Sequence, residues 1–373
     1  MARGTVRPSV LHVILKVQET NGQFNEHCLP LADQRRISIV SFLAPTLTSP
    51  PSVEMFAGSG SVRSGWQALR RALRSGPYDV VHVHAPQTGL LLLAALGLRR
   101  SRRANCIYTV QNSYGNYRPR NRLLMVPIFA AYPQVVFCSQ AALDSMPRWL
   151  KWLVRDKAHV VPNAVDVAGI DRAIIASRRA DDGRFRVVLV GRMVPIKNMA
   201  TVLEAVARTT ADVELTVIGD GPLRRDLEAL VRTLPLDDDR VRFAGLLERS
   251  EVHRRLAEAD LCVSASFGEG LPVAVLEAMA CRTPVLLSEI APHREIDIGR
   301  PELALVGCTD IDGFASAIDA LAKLPAEERA ALGRRCRQIV DDRFGIAAMH
   351  AAYVPIYDAA ARAGAAPRID LAW

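Results

Sequence analysis

The second half of the chain alternates short apolar runs with amphipathic stretches, and this alternation restricts the fold more than any other feature. Five runs are rich in Val, Leu and Ile, and the stretches between them carry apolar residues at helical spacing. This order is typical of repeated strand–helix units with a parallel sheet. We therefore predict a Rossmann-like α/β domain. Its predicted strands are 185–191, 213–218, 241–244, 261–264 and 284–287, and its predicted helices are 198–208, 222–232, 250–259 and 272–280.

The first half repeats the pattern, which fits the two domains expected for 373 residues. Two Rossmann-like domains in tandem would face each other across a cleft. A polar stretch at Asp181, Asp182 and Gly183 is the predicted linker. We thus expect an N-terminal domain over 1–180, a C-terminal domain over 181–345 and a terminal segment over 346–373. The predicted N-terminal strands are 10–17, 36–42, 79–84, 106–110 and 135–138.

Composition excludes several classes of protein. Half of the residues are hydrophobic and 23% are charged, unlike a disordered chain. The longest apolar stretches, 89–98 and 123–138, are shorter than the ~20 residues of a membrane-spanning helix. The apolar run 10–17 lacks the features of a signal peptide and is predicted to be a strand. Seven scattered cysteines without a CxxC pair indicate a reducing cytosol and no zinc site.

Charge is divided unevenly along the chain. Residues 1–165 carry 20 Lys and Arg against 7 Asp and Glu, whereas the whole chain has a net charge of +8. The basic half is expected to contact an anion such as a membrane surface. The predicted helix 62–74 could lie on anionic lipid, or it could pack on the core with its arginines in water. Its apolar stripe is Val62, Trp66, Leu69 and Leu73, and its flanking cations are Arg63, Arg70 and Arg74.

The strongest local motif contains two glutamates at the start of the last predicted helix. Glu269 lies in a strand-to-helix loop, and Glu277 lies two turns further on in an apolar helix. Pro272 suits the first helical turn, and the amides of Gly270 and Leu271 could bind phosphate or sugar hydroxyls. A buried carboxylate needs a partner. The alternative is structural, with Glu269 as a helix N-terminal charge and Glu277 in an internal salt bridge.

A second motif places Arg192 and Lys197 between the first strand and first helix of the same domain. Two cations beside a helix N-terminus can hold a diphosphate and stabilise the charge that grows as it leaves. A metal ion would then be dispensable. The alternative is a pair of solvated loop cations. Two glycine motifs, 218–222 and 241–245, either belong to the site or form tight turns.

The order of these motifs closely resembles the retaining glycosyltransferases of family 4, which have the GT-B fold. The resemblance covers nearly the whole chain. It implies a nucleotide-sugar donor in the C-terminal domain, an acceptor in the N-terminal domain and no metal or other cofactor. The motifs are Val161-Pro-Asn-Ala-Val-Asp166, Gly191-Arg192 to Lys197-Asn198, Gly219-Asp-Gly-Pro222, Val241-Arg-Phe-Ala-Gly245 and Glu269-x7-Glu277.

The resemblance also implies individual roles. Arg192 and Lys197 would hold the donor diphosphate, Glu269 would lie near the donor sugar, and Glu277 would bind the ribose hydroxyls. Residues 270–272 would offer backbone contacts to sugar or phosphate. The segment from Phe344 would return to the N-terminal domain.

The N-terminal half departs from the family pattern in two places. Similar proteins carry a glycine-rich loop after the first strand, where this chain offers only Gly22 to the donor phosphate. Gln111 stands where many relatives have a histidine, although an amide can still bond a sugar hydroxyl, and Asn112 follows it. His84 belongs to a strand-end motif and is either near the cleft or structural.

We therefore predict a cytoplasmic retaining hexosyltransferase, peripheral at the inner membrane face. It would use a UDP- or GDP-sugar and a lipid-linked or polysaccharide-precursor acceptor in cell-surface glycan synthesis. The alternative is a catalytically degenerate GT-B protein that binds sugar nucleotides or glycans, as Gln111 and the single Gly22 suggest. No nucleic-acid partner is expected, because no binding motif or aromatic stacking surface accompanies the arginines.

Overall fold

The computed structural model describes residues 8–18, 22–32, 35–97, 100–178, 183–237, 239–296 and 305–365. The chain divides into two compact units. Unit 1 comprises Met1–Asn163 and Ile346–Trp373, and unit 2 comprises Ala164–Gly345.

The boundary between the units differs from the predicted one at 180/181. Residues 164–180, which we assigned to the first domain, belong to unit 2. There the Val165 N–H donates to the Phe344 carbonyl at 2.9 Å, so that the first and last parts of unit 2 are bonded to each other. Asp181 and Asp182 of the predicted linker lie outside the described residues.

Each unit is built on one sheet, and every strand pair that the structure describes is parallel. The order is β3-β2-β1-β4-β5-β6-β7 in unit 1 and β10-β9-β8-β11-β12 in unit 2. Both orders reverse direction beside the first strand, as in Rossmann-like folds, and the predicted α/β class is confirmed. The strands are β1 Val10–Ile14, β2 Ile37–Ser41, β3 Val53–Ala57, β4 Val80–Val83, β5 Cys106–Val110, β6 Gln134–Phe137, β7 Ala158–Val160, β8 Phe185–Val190, β9 Val213–Ile218, β10 Val241–Gly245, β11 Leu261–Ser264 and β12 Val285–Leu287.

Helices connect these strands. Among the described residues, none has both the length and the apolar character needed to cross a bilayer. A π-helical turn at Gln23–Cys28 precedes the first α-helix. The helices are α1 Leu29–Ala32, α2 Val62–Arg74, α3 Pro86–Leu96, α4 Pro119–Ala131, α5 Gln140–Asp144, α6 Arg148–Val154, α7 Val167–Ile174, α8 Met199–Val206, α9 Arg224–Thr233, α10 Arg249–Glu258, α11 Val273–Ala280, α12 Ala291–Ile296, α13 Ile311–Lys323, α14 Ala326–Arg343 and α15 Ile346–Gly364.

Two strands of unit 1, β3 and β7, were not predicted. They are the two edges of the sheet, both are incompletely buried, and β7 has only three residues. Edge strands need less apolar sequence than central ones, because only one side is paired and their faces are partly in water. The central strands are almost wholly buried, and their apolar runs reveal them.

Helix α2 packs against β2 and β3. Its buried face is formed by Gly65, Ala68, Leu69 and Ala72, while Val62 is exposed. A Cβ on Gly65 would lie 2.3 Å from the Phe42 ring, so the small residue permits this close approach. The packing therefore favours the core-facing interpretation of the predicted basic helix.

Five buried histidines gather in unit 1. His12 of β1 and His82 of β4 are register partners, and His84 follows at the end of β4. The ring centroids of these three side chains lie 4.1 to 5.4 Å apart. His27 from the π-helical turn lies 5.1 Å from His12, and His350 from α15 lies 6.1 Å from His27. We call these five residues the histidine cluster.

Tyrosines of α15 are bonded to the histidine cluster. The Tyr357 hydroxyl lies 2.6 Å from His27 Nε2 and 2.9 Å from His82 Nδ1. His82 Nε2 lies 2.6 Å from Thr109 Oγ1, which in turn lies 3.3 Å from the Tyr353 hydroxyl. If the histidine rings are neutral, each hydrogen bond in this series has one donor and one acceptor, because every hydroxyl can donate once and accept once. The C-terminal helix is thus held to the sheet by a continuous hydrogen-bonded chain.

The cluster is neutral in the folded protein. Burial lowers the pKa of His84 to about 3. Burial, and then the neighbouring histidines, lower the pKa of His12, His27 and His82 well below the ordinary value. The unfolded chain therefore binds more protons than the folded chain when the pH falls below about 6.5.

Acid is expected to destabilise unit 1. The contribution of the neutral histidines to the unfolding free energy is full above pH 6.5. It is lost as the pH falls towards their pKa values in the folded state, and His84 alone costs about 2 kcal/mol at pH 5. The measurement is urea unfolding from pH 8 to pH 5 by tyrosine and tryptophan fluorescence, since all four Trp and all seven Tyr lie in unit 1.

The variant His84→Gln provides the comparison. It removes one group that titrates between the two states, so its unfolding free energy should depend less steeply on pH than that of the wild type. Equal pH dependence in the two proteins would contradict the assignment.

Candidate functional site

The loop after β8 carries both predicted phosphate-binding cations and is tied to the loop after β11. Asn198 adopts a left-handed conformation with φ 47°, and its side-chain amide donates to the Ala265 and Cys308 carbonyls at 3.1 and 2.7 Å. The Phe267 N–H also donates to the Ile196 carbonyl at 2.8 Å. Because β8 and β11 are neighbours in the sheet, these bonds bring Lys197 to the loop that carries Glu269.

Lys197 and Glu269 form a partly buried ion pair. Lys197 Nζ lies 2.6 Å from Glu269 Oε1, and Ser266 Oγ donates to the same oxygen at 2.7 Å. An ammonium group has three donors, so Lys197 can bind Glu269 and still donate to a second anion. The pair joins residues 72 positions apart in sequence at the carboxyl ends of two adjacent strands.

Arg192 lies in the same loop as Lys197 but is exposed. Among the described residues, no carboxylate forms an ion pair with its guanidinium. The loop therefore presents one paired and one unpaired cation. A bound diphosphate could contact both without displacing an existing partner of Arg192.

Glu277 is buried in α11 and bound from α10. Arg249 donates to Glu277 Oε1 through Nε at 2.9 Å and through Nη2 at 2.7 Å, and His253 Nε2 lies 3.3 Å from the same oxygen. Burial alone would raise the pKa of Glu277, but the hydrogen bonds and charges of His253 and Arg249 outweigh it and leave this pKa lowered. Within the described part of the chain, Oε2 accepts no hydrogen bond and can bind a ligand donor.

The segment before α11 differs slightly from the prediction. Gly270, Leu271 and Pro272 are buried, but the helix begins at Val273, so that Pro272 precedes the first turn instead of lying in it. The first amides of a helix have no carbonyl partner within it. Residues 270–273 therefore remain candidates for backbone contacts to a ligand.

The glycines of the motif 218–222 lie directly against the loop that carries Arg192 and Lys197. A Cβ on Gly219 would lie 2.0 Å from the Gly191 carbonyl oxygen, and one on Gly221 would lie 2.5 Å from the Met193 carbonyl oxygen. The Met193 N–H donates to the Asp220 carbonyl at 3.0 Å. Two successive strand-end loops are thus in direct backbone contact, and the glycines permit it.

The structure adds His293 and two serines that sequence analysis missed. His293 Nδ1 lies 2.8 Å from the Ser288 carbonyl, and Ser288 Oγ donates to the Ser266 carbonyl at 2.7 Å. Ser266 is the residue that holds Glu269. Burial lowers the pKa of His293, which favours the neutral ring. The sequence offered one signal for these residues, namely polar residues such as Ser288 directly after the apolar run of β12.

Residues of unit 1 lie at the carboxyl ends of adjacent strands β4 and β5. His84 follows β4, and Gln111 and Asn112 follow β5. In the part of the chain that is described, the Gln111 side-chain amide makes no hydrogen bond, although its backbone N–H donates to the Tyr117 hydroxyl at 3.1 Å. Asn112 Oδ1 accepts from the Asn116 amide at 2.7 Å, which orders its own loop.

His84 is 7% exposed and its Nε2 lies 3.1 Å from His12 Nδ1, so it belongs to the histidine cluster. This arrangement favours the structural interpretation of His84. Gly22 has an ordinary right-handed helical conformation, and a Cβ there would lie 3.0 Å from Glu26 Oε2. No backbone strain therefore requires a glycine at this position.

One group of described residues has the spacing of a metal site. Potential ligand atoms of His12, His27 and His82 all lie within 4.8 Å of one another. Both ring nitrogens of His82 and Nε2 of His27 already take part in the hydrogen-bonded chain through Tyr357 and Thr109. A metal would have to replace some of these bonds.

The variant Gly219→Ala should destabilise unit 2 by about 3 kcal/mol or more, because its Cβ meets a backbone carbonyl and its φ is +131°. The control is Gly183→Ala, where φ is +82° but nothing lies within 4 Å, with an expected cost of about 1 kcal/mol. Urea unfolding followed by far-ultraviolet circular dichroism measures both. Equal costs would contradict the close contact between the two loops.

The variant Arg249→Ala should destabilise unit 2 by about 3 kcal/mol, because it leaves the buried carboxylate of Glu277 without its main partner. Adding Glu277→Gln to this variant should recover part of the loss. The control Arg254→Ala removes an exposed pair with Glu251 on the same helix and should cost at most about 1 kcal/mol. A double variant no more stable than Arg249→Ala would contradict the assignment.

Two family models match the chain in succession. The model described as Glycosyltransferase Family 4 matches residues 30–168, and the model described as Glycosyl transferases group 1 matches residues 184–323.

Curated relatives match this chain over longer stretches than either family model does. The phosphatidyl-myo-inositol mannosyltransferase of Mycolicibacterium smegmatis is 28% identical over 262 residues, which cover 67% of this chain and 64% of that relative. The match thus spans less than two thirds of that relative's length. The Escherichia coli UDP-Gal:alpha-D-GlcNAc-diphosphoundecaprenol alpha-1,3-galactosyltransferase is 25% identical over 342 residues, which cover 85% of this chain and 83% of that protein.

Solved structures have the same fold at low identity. Sucrose-phosphate synthase from Thermosynechococcus elongatus has a TM-score of 0.77 at 18% identity, with 94% of this chain and 98% of that chain covered. Anabaena HepE in complex with UDP and glucose has a TM-score of 0.74 at 17% identity, with 94% and 99% covered. With two parallel sheets and successive matches to both family models, the chain belongs to the family 4 glycosyltransferases, group 1, and has the GT-B fold.

Proposed function

We propose that this glycosyltransferase is a retaining hexosyltransferase that uses a UDP- or GDP-sugar without a metal ion. The acceptor is a lipid-linked or polysaccharide-precursor molecule in cell-surface glycan synthesis. The observation that carries the proposal is the joined loop pair of unit 2, in which Lys197 binds Glu269 and Arg192 lies in the same loop as Lys197. The acceptor class is supported by relatives whose names include phosphatidyl-myo-inositol and diphosphoundecaprenol.

The donor would bind to unit 2. Arg192 and Lys197 would bind the diphosphate, which carries the charge released when the bond to the sugar breaks. Oε2 of Glu277 would accept from the ribose hydroxyls, while Arg249 and His253 keep its other oxygen in place. Residues 270–272 would contribute backbone contacts to the phosphate or sugar.

In the reaction, the bond between the sugar's anomeric carbon and the diphosphate breaks, and the acceptor hydroxyl attacks the same face and gives its proton to the departing diphosphate oxygen. Glu269 would orient the donor sugar while Ser266 and Lys197 hold its carboxylate. Gln111, Asn112, His84 and Gly22 of unit 1 are the proposed further contacts to sugar or phosphate. Of these four residues, Gln111 supports the proposal best, because its side-chain amide makes no hydrogen bond within the described part of the chain and can bind a ligand.

A catalytically degenerate protein that binds sugar nucleotides or glycans is the second candidate. Gln111 in place of the family's histidine and the single Gly22 favour it. The ion pair of Lys197 with Glu269 and the bound state of Glu277 argue against it, because these costly buried charges are all retained.

We further propose a cytoplasmic location at the inner face of the membrane. The basic character of unit 1, with 22 Lys and Arg against 9 Asp and Glu, supports contact with an anionic surface.

Calorimetric titration with UDP, GDP and ADP in EDTA tests the donor site. We expect one uracil or guanine nucleotide to bind, and Lys197→Ala or Glu277→Ala to weaken it at least about tenfold, which is about 1.4 kcal/mol. Arg192→Ala should act in the same direction. The matched control is Arg225→Ala, which removes an exposed cation from α9 and should leave the affinity unchanged.

The outcomes separate the candidates. Binding in EDTA that depends on these residues, followed by transfer with retained anomeric configuration in a screen of lipid-linked acceptors, supports the proposal. Binding without transfer to any acceptor favours the degenerate protein. Unchanged affinity in Lys197→Ala and Glu277→Ala would overturn the assigned site.

A further inference from the structure

Helix α6 exposes two tryptophans on the surface of unit 1. Trp149 and Trp152 are 55% and 63% exposed, and their spacing of three residues puts them on the same side of the helix. Leu150 and Val154 of the same helix are completely buried in the core of unit 1. The helix is therefore firmly seated, and the exposure of the indoles follows from the packing of its opposite side.

An arginine lies at each end of the segment that carries the two tryptophans. Arg148 at the start of α6 and Arg155 directly after its end are both exposed. The Arg155 guanidinium lies 5.3 Å from the centre of the Trp152 ring and also pairs with Asp156 at 3.1 Å. Among the described residues, Arg148 has no ion-pair partner. We call Arg148, Trp149, Trp152 and Arg155 the tryptophan face.

The neighbouring helix α4 also exposes a large apolar side chain and arginines. Helix α4 packs against α6, and its Leu123 is 73% exposed. Arg118 and Arg120, at the start of α4, are also exposed. Apolar side chains exposed singly are ordinary, but large ones on two adjacent helices with cations beside them are typical of an interaction surface.

We propose that the tryptophan face docks this protein on an anionic lipid bilayer. The inference deepens the proposed function and depends on it for the lipid-linked acceptor. Indole rings favour the interface of a bilayer, where the ring contacts acyl chains and the N–H contacts the polar region. Arginines next to them are attracted by anionic headgroups. Unit 1 as a whole has the matching charge of +13.

The proposal assigns the membrane contact to α6 and not to α2, for which the sequence left a lipid contact open. The small residues of α2 are turned to the sheet, and Trp66 packs against the core of unit 1. Tryptophan and arginine are thus present on both helices, but of the two only α6 exposes its indoles. The chain therefore provides its own matched control.

The experiment measures partition of the full chain to vesicles of phosphatidylcholine with and without phosphatidylglycerol. We expect binding that requires phosphatidylglycerol and weakens with salt. The double variant Trp149→Ala and Trp152→Ala should bind at least about tenfold more weakly. Trp66→Phe is the control for the loss of an indole and should bind like the wild type.

A second pair of variants tests whether position matters as well as charge. Arg148→Gln with Arg155→Gln should weaken binding several-fold, whereas Arg63→Gln with Arg74→Gln, an equal change of charge on α2, should have a smaller effect. Equal loss in both would show attraction to the net charge of unit 1 and would overturn docking through α6. Circular dichroism checks that each variant is folded.

Other outcomes also decide. Absence of vesicle binding by the wild type, or full binding by the double tryptophan variant, would overturn the proposal. A tryptophan variant that changes the molecular mass in solution without affecting vesicle binding would identify a contact between copies of the chain instead. Nucleotide affinity should be unchanged in these variants, since the proposed donor site lies in unit 2. Failure of the docking surface is therefore distinguishable from failure of the proposed function.

Discussion

Parallel strand pairing is the constraint on which the candidate site depends. Because all strands of a parallel sheet point the same way, the loops after β8, β9 and β11 begin at one edge. Asn198 then joins the first of these loops to the third, and Gly219 brings the second against the first. Three short loops, each unable to hold a charge in a fixed place alone, become one bonded unit. The Lys197–Glu269 pair is the chemical result of that backbone arrangement.

Buried polar groups in both units follow one rule, that each must be neutral or bound. Glu277 keeps its charge because Arg249 and His253 offset the cost of burial. The histidine cluster satisfies the rule by being neutral, and its His27 and His82 are bonded to the hydroxyls of Tyr357 and Thr109. The charged Glu277 keeps one oxygen available to a ligand, whereas the neutral histidines and the hydroxyls attach α15 to the sheet. Polarity alone does not distinguish a binding residue from a structural one.

The sequence predicts the central strands well and the boundaries poorly. β9 and β11 agree with prediction to the residue, because their apolar runs end at clear turn signals. β3 and β7 were missed because they are edge strands whose faces are partly in water, and β7 is also only three residues long. The boundary at 163/164 has no signal in composition, whereas the polar run at 181–183 resembles a linker. Spacing also cannot reveal that Arg249 binds Glu277, since they are 28 residues apart and meet only when α10 packs against α11.

The two basic helices with tryptophan illustrate a limit of periodicity. The stripe of large apolar residues in α2 fitted either a surface helix or a core-facing one, and its Leu69 is buried together with Gly65, Ala68 and Ala72. Small residues allow close backbone approach, so they join the apolar stripe in the buried face although their own sequence pattern does not indicate it. Helix α6 is too short for a periodic signal, and its Trp149 and Trp152 stand beside equally apolar residues that are buried. Which apolar side chains remain in water is decided by the neighbouring helix, and that information is absent from local sequence. The exposed indoles therefore become visible only after the packing of unit 1 is known.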